Sequence, residues 1–264
     1  MIHALRPFAD EVAARLSGKP LVVMLDVDGT LAPIAARPEL AVVPPETQRA
    51  VAALAAREEV ELALVSGRSA ADARRMVPVR AWVIGNHGFE IVSPDNEPFN
   101  PSGDGAPSPV VADAVRRLDA ELTGVTGVLV EDKRWTASVH HRLASPEGER
   151  RAREVVDRVA RDLGLQVTEG KKVLEIRPSL PIDKGTAVLA LAELLHGFDP
   201  GGAVAYVGDD RTDEDAFRAL RARSPRAVTI RVLHDERTET AAEYALRDPA
   251  EVRTFLEWLA VHPL

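Results

Sequence analysis

The chain has 264 residues, 45% of them hydrophobic and 28% charged, with no cysteine and a formal net charge of -8. That length suffices for one large domain or two modest ones with a sizeable core. The acidic balance argues against nucleic acid as the main partner, because a phosphate backbone needs a basic face, and the missing cysteines exclude disulfides, thiolate nucleophiles and zinc–thiolate sites. No apolar run approaches the roughly 18 residues of a membrane span. The start, Met1-Ile-His-Ala-Leu-Arg-Pro, has no signal-peptide core. A cytoplasmic protein with no membrane partner is expected.

In chain order, residues 8–17 read as a short amphipathic helix and 21–25 as a buried strand, which stops on Asp26-Val-Asp28-Gly29-Thr30. Pro44-Pro-Glu-Thr opens a helix to about Arg57. Strand 61–65 ends in Ser66-Gly67-Arg68, helix 70–76 follows, and strand 81–84 ends in Gly85-Asn86-His87-Gly88. Such alternation predicts a parallel sheet with right-handed crossovers. From Ser93 the chain turns rich in Pro, Gly and Asn and reads as a linker. Next come a helix at 108–123, a hairpin of strands 127–132 and 135–142 turning at Lys133-Arg134, and a charged helix at 146–163. A second hairpin, 165–168 with 172–177, turns at Glu169-Gly170. This αββαββ unit predicts an antiparallel sheet with helices on one face. The parallel pattern resumes with a helix from Asp183-Lys184-Gly185 to about His196, strand 203–207, the acidic run Gly208-Asp209-Asp210-Arg-Thr-Asp213, strand 227–230 and a last helix at 249–260. The expected fold is α/β: a doubly wound, Rossmann-like parallel core over 1–102 and 181–264, with a small α+β domain inserted at 103–180.

Four polar clusters follow apolar strands or open a helix of the core: Asp26/Asp28, Ser66-Gly67-Arg68, Lys184, and Asp209/Asp210/Asp213. In a parallel sheet the strand carboxyl ends share one edge, so these clusters should converge. Each alone also reads as ordinary punctuation: an Asp-Gly turn, a Ser-Gly turn, a solvated lysine, or an acidic helix start. Together their chemistry agrees. Several carboxylates without His or Cys are hard oxygen ligands and suit Mg2+. Ser66 and helix-start amides can hold phosphate oxygens, and Lys184 can neutralise a carboxylate or a phosphoryl group. An Asp beside a metal and a Lys stays ionised and can attack phosphorus, while an Asp two residues on can protonate the leaving oxygen and then activate water. No Gly-x4-Gly-Lys loop is present, so triphosphate hydrolysis of that kind is unsupported.

Asp26-Val-Asp28-Gly-Thr resembles the nucleophile motif of the haloacid dehalogenase superfamily, and Ser66, Lys184 and Gly208-Asp-Asp-x-x-Asp213 fall in its next three motif places, in order. The insertion resembles its αββαββ cap. More narrowly, Gly85-Asn-His-Gly-Phe-Glu90, Gly170-Lys171-Lys-Val-Leu-Glu175-Ile-Arg-Pro178, Asp183-Lys-Gly185 and Gly208-Asp-Asp-Arg-Thr-Asp-Glu-Asp-Ala-Phe217 resemble the trehalose-6-phosphate phosphatase family. The resemblance implies Asp26 as nucleophile through an aspartyl-phosphate, Asp28 as general acid and base, and Ser66 and Lys184 holding the phosphoryl group. It implies Mg2+ on Asp26, the Asp28 carbonyl and Asp209, with Asp213 near or outside the ligand set and Asp210 open. Thr30, Gly67 and Arg68 would meet the phosphate side of the substrate. Asn86, His87 and Glu90 on the core loop, with Lys133, Arg142, Lys171 and Glu175 on the cap, would meet the sugar. Residues 93–107 and 178–183 would be the hinges of a cap that opens and closes. The implied activity is Mg2+-dependent hydrolysis of trehalose 6-phosphate to trehalose and phosphate, the last step of trehalose biosynthesis, with a functional link to a trehalose-6-phosphate synthase. Another sugar phosphate (sucrose 6-phosphate, a glycosyl-phosphoglycerate, a hexose phosphate) and a non-catalytic sugar-phosphate sensor are the alternatives. His140-His141 resembles a metal pair, but neighbouring strand residues face opposite ways, so one should be buried and one exposed.

Overall fold

The apolar run that begins at Leu21 forms a strand buried along its whole length, and the first unit of the chain is laid out around it. The computed structural model describes residues 3–4, 10–35, 37–99, 108–170, 172–234 and 239–262. In chain order the elements begin with β1 (His3–Ala4), α1 (Asp10–Leu16), β2 (Leu21–Asp26), α2 (Pro45–Ala55), β3 (Val60–Val65), α3 (Ala70–Met76), β4 (Trp82–Gly85) and β5 (Glu90–Val92). Then come α4 (Pro109–Leu122), β6 (Leu129–Asp132), β7 (Ala137–His140), α5 (Pro146–Leu163), β8 (Leu165–Gly170) and β9 (Val173–Pro178). The chain closes with α6 (Lys184–Leu194), β10 (Ala203–Gly208), α7 (Asp213–Arg223), β11 (Val228–Val232), β12 (Tyr244–Leu246) and α8 (Pro249–Val261). It divides into two compact units, Met1–Pro101 with Ile182–Leu264, and Ser102–Pro181.

In the first unit eight strands run in the order β1-β12-β11-β10-β2-β3-β4-β5. Every pairing is parallel except β4 with β5, which is antiparallel. Alternate residues of β2 serve opposite faces. Leu21, Val23 and Leu25 pack with α1, α2 and α8, while Val22 and Met24 pack with α6 and α7. Strands buried on both faces read as continuous apolar runs, and that is why β2, β3 and β10 are legible as strands. From β2 the order runs outward through β3 and β4, and from its other side through β10, β11 and β12. The gap between the carboxyl ends of β2 and β10 is therefore the topological switch point, where open α/β sheets bind ligands.

The second unit is an antiparallel sheet, β6-β7-β9-β8, with α4 and α5 sharing one core with it. Helix α5 starts on Ser145, whose hydroxyl accepts from the Gly148 amide, and ends on Gly164 at φ 66°. Its Ala152, Val155, Val156 and Val159 form one buried stripe. Ala137, Val139, Leu174 and Ile176 line the sheet's buried face. The alternate residues Glu131, Ser138 and Glu175 stand side by side across β6, β7 and β9 on the other face.

Several details depart from the sequence expectation, which has no counterpart for β1 or for helix α7 after the acidic run. Strands β5 and β12 are three residues each, too short to carry a pattern, and were not anticipated. The second hairpin does not turn at Glu169-Gly170, because these residues pair with Leu174 and Val173 inside the ladder. The first hairpin is shorter than expected, and Arg142 lies beyond its strand. Residues 8–9 of the first expected helix and 100–107 of the first expected hinge lie outside the described residues. Among the described residues, no helix is long and apolar enough to cross a membrane.

Candidate active site

Four elements deliver the polar clusters to one edge of the first unit's sheet. Asp26 is the last residue of β2, Ser66 follows β3, Lys184 opens α6, and Asp209 follows β10. Lys184 is fixed by its helix start. Asp183 caps α6 by accepting from the Thr186 amide, and the Thr186 hydroxyl accepts from the Asp183 amide in return.

The ammonium of Lys184, 2% exposed, donates to Asp26 Oδ1 and Asp213 Oδ1, both at 2.7 Å. Asp213 is fully buried and accepts four bonds: from Lys184 and the Tyr206 hydroxyl on Oδ1, and from the Asp209 and Asp210 amides on Oδ2, at 2.7 to 2.9 Å. A carboxylate without water must be paired in this way. Asp210 instead closes the turn that leads into α7, accepting on Oδ1 from the Thr212 amide and hydroxyl and the Asp213 amide. Its side chain is half exposed, so it serves the turn.

The electrostatics follow from burial. Burial drives the Asp26 carboxyl well above the usual carboxylate range; Lys184 opposes this and Asp213 and Asp209 reinforce it. Burial, then Asp213 and Asp210, push Asp209 up to about 8. Burial also raises Asp210, but Lys184 and the bonds from Thr212 and Asp213 outweigh it and bring the group down to about 2. Burial opposes the charge on Lys184, yet Asp213 and Asp26 hold it well above the usual lysine value. Burial raises Asp213 as well, and the four carboxyls of Asp26, Asp209, Asp210 and Asp213 gather around the single ammonium of Lys184, more negative charge than it balances when they are ionised.

Asp26, Asp209 and Asp213 each bring a carboxylate oxygen within 4.8 Å of the others. Asp26 Oδ2, Asp209 Oδ1 and Thr30 Oγ1 are buried without a hydrogen-bond partner among the described residues. The free lone pairs of Asp26 and Asp209, with the excess negative charge, suit a hard divalent cation. Asp213 has its lone pairs filled and shapes the cluster from outside. Gly29, at φ 87°, lies against Asp209: a Cβ there would sit 2.0 Å from Oδ2. Glycine is needed both for the backbone angle and for the approach.

The other expected residues fall around this cluster. Ser66 is buried, and its hydroxyl accepts from the Arg68 amide. Arg68 forks onto Asp28, Nε to Oδ2 at 2.6 Å and Nη2 to Oδ1 at 2.7 Å. The His87 ring lies against Gly67, where a Cβ would come within 2.5 Å of it. Asn86 and His87 take positive φ in the short 3-10 turn after β4. Glu90 Oε2 accepts from the Ala70 amide and from Asn86 Nδ2, so it ties the start of α3 to this turn.

In the second unit, Glu175 accepts from the Ser138 hydroxyl at 2.8 Å and from Lys133 Nζ at 3.4 Å. Beside them Glu131 holds His140 Nε2 at 2.8 Å. His141 is buried and His140 partly exposed, as the strand alternation requires. Arg142 is exposed, and Lys171 lies outside the described residues. Sequence reasoning missed Tyr206, Glu131 and His234. Tyr206 is hidden in an apolar run, whereas Glu131 sits on the strand face that the two-residue period assigns to Glu175.

The sequence profile of the trehalose-phosphatase family matches residues 24–250, a span that holds all of these clusters. The chain belongs to the trehalose-phosphatase family. The trehalose-phosphate phosphatase of Mycobacterium avium is 39% identical over 249 residues, 93% of this chain and 63% of that protein. An uncharacterized glycosyl hydrolase of Mycobacterium tuberculosis is 38% identical over 251 residues, 93% of this chain and 18% of that one. The chain thus spans from under a fifth to under two thirds of these relatives. Among solved structures, the C-terminal domain of a trehalose-6-phosphate phosphatase from C. albicans superposes with a TM-score of 0.74 over 98% of both chains, at 20% identity. At that identity the likeness speaks for the trehalose-phosphatase fold.

Proposed function

We propose that the chain is a Mg2+-dependent phosphatase that hydrolyses trehalose 6-phosphate to trehalose and phosphate. The observation that carries this reading is the buried Asp26–Lys184–Asp213 cluster at the switch point, with Asp209 beside it, in a chain of this family. Asp26, Asp209 and the Asp28 backbone carbonyl would hold the cation. When bound, it supplies positive charge against the phosphoryl oxygens.

The remaining steps belong to the chain's own residues. A carboxylate oxygen of Asp26 attacks phosphorus and the bond from phosphorus to the sugar oxygen breaks. That oxygen keeps the electron pair and takes a proton from Asp28. Asp28 then removes a proton from water, whose oxygen attacks phosphorus. The bond from Asp26 to phosphorus breaks, its electron pair returns to the carboxylate, and phosphate leaves. Lys184 holds Asp26 in place, and the buried hydroxyls of Ser66 and Thr30 would donate to the phosphoryl oxygens. Arg68 grips both oxygens of Asp28, so Asp28 must leave that fork to carry a proton. An arriving phosphate is an anion that can take Arg68 in its place. On the second unit, Lys133 and Glu175 offer a charged, hydrogen-bonding face that suits sugar hydroxyls and, in this reading, choose the substrate.

Phosphate release is measured with Mg2+ on trehalose 6-phosphate, sucrose 6-phosphate and glucose 6-phosphate, for wild type and Asp26→Asn. Release from trehalose 6-phosphate alone, falling about a thousandfold or more in the variant, is the expected result. Acid-quenched turnover of substrate radiolabelled in the phosphate should leave label on the peptide that contains Asp26. Preference for another sugar sinks the assignment of the second unit. Undiminished release by Asp26→Asn sinks the mechanism. No release from any of them by folded wild type favours a sugar-phosphate sensor.

A further inference from the structure

We infer that His234 is the positioning residue that sets Asp209 for the cation; the inference rests on the cation site just proposed. His234 follows β11 at the same carboxyl edge of the sheet, and its Nε2 lies 3.3 Å from Asp209 Oδ2. That nitrogen is buried and has no hydrogen-bond partner among the described residues, and the same holds for Asp209 Oδ1. The two oxygens of Asp209 therefore differ. Oδ2 is enclosed by Gly29 on one side, where no Cβ could fit, and by the His234 ring on the other. Oδ1 is the oxygen left for a ligand.

The backbone around His234 is held independently of the site. Its amide donates to the Arg247 carbonyl at 3.0 Å, and the Leu233 amide donates to that of Leu246 at 2.9 Å. At the foot of the loop the buried Glu214 carboxylate accepts from Arg231 Nη1 at 2.5 Å, the Thr240 hydroxyl at 2.6 Å and the Ala241 amide at 2.8 Å. Glu214 lies in the first turn of α7, directly after Asp213. One helix start thus anchors both the carboxylate cluster and the loop that carries His234.

A ligand carboxylate needs its second oxygen held, or the side chain rotates and the pair of electrons swings off the cation. An N–H on His234 Nε2, 3.3 Å from Oδ2, would supply that hold on closing to hydrogen-bond geometry. The ring acts through Asp209 and need not touch the substrate.

The test uses Mn2+ as a spectroscopic stand-in for Mg2+, reading free Mn2+ by electron paramagnetic resonance with folded protein and no substrate. His234→Ala should bind Mn2+ about tenfold more weakly than wild type. His234→Gln, whose amide N–H can reach Oδ2, should recover most of that loss. Far-ultraviolet circular dichroism checks that both variants are folded. Wild-type affinity in His234→Ala overturns the inference. Equal loss in the Ala and Gln variants also overturns it, because donation to Oδ2 is then not what matters. Failure of wild-type protein to bind Mn2+ would instead bring down the cation reading itself, and this inference with it. Asp209→Asn is the control that should lose binding wherever the site exists.

Discussion

At the scale of single residues, Lys184 is the side chain with most depending on it. It lies 158 residues from Asp26 in sequence, and one ammonium serves two buried carboxylates. Removing one partner of a buried ionic group leaves uncompensated charge, which costs about 3–5 kcal/mol. Lys184→Met is therefore expected to lower unfolding stability by that order in urea melts, besides abolishing turnover. Tyr206→Phe removes only one of the four donors to Asp213. Its expected cost is about 1–3 kcal/mol, read in the same melts. The identity of these residues was unevenly visible in the sequence. Asp26, Lys184 and Asp209 end or open apolar segments and so stand out as charge where burial is expected. Tyr206 is the reverse case: an aromatic in the apolar run Ala203–Gly208 carries no mark of the hydroxyl's partner. The role of Asp210 was left open by its neighbours' identical chemistry, and only the direction of its bonds to Thr212 and Asp213 assigns it to the turn.

At the scale of elements, the helix starts do more positioning than the helix bodies. The reciprocal cap between Asp183 and Thr186 fixes the first turn of α6, and the first residue of that turn is Lys184. Asp183→Ala should cost about 1 kcal/mol of stability, with a fall in kcat larger than that figure implies, because the lysine loses its registration. Urea melts and initial rates on the same preparation separate the two effects. The long, doubly buried strands were legible because both faces demand apolar residues, and α5 because its apolar stripe is flanked by Ser145 and Gly164. Strand β5 was not, since Glu90-Ile-Val is three residues whose first member is diverted to the Ala70 amide. The hairpin turn shifted because Glu169 and Gly170, a turn pair by composition, are drawn into the ladder by Leu174 and Val173.

At the scale of the whole molecule, folding is linked to pH through His141. It is buried in the second unit, with Glu149 3.4 Å from Nδ1 and Lys172, Arg153 and Glu169 around it. Burial lowers its pKa, Lys172 and Arg153 add to this, and Glu149 and Glu169 oppose it. The folded chain thus refuses a proton that the unfolded chain takes up near about pH 6.5. Where the unfolded state binds more protons, stability rises with pH. This contribution is therefore present above about pH 6.5 and is lost as pH falls toward the folded value. Between about pH 7.5 and about pH 5.5, the Tm of wild type should fall further than that of His141→Gln; parallel declines would remove His141 as the cause.

The pairing of β2 with β10 also has a meaning for the chain as it leaves the ribosome. Leu21 waits for Ala203, and Leu25 for Val207. Both residues that the cation would share, Asp26 and Asp209, are separated by the whole second unit, which has its own sheet, its own helices and its own core. That unit can complete its local contacts while the first half of the larger sheet still lacks its middle neighbour, and the late closure of such distant pairs is slow. A chain cut short before β10 would carry Asp26, Ser66 and Lys184 and yet have no switch point to put them in. The site at this edge therefore waits on the synthesis of β10, long after Asp26 and Ser66 have left the ribosome.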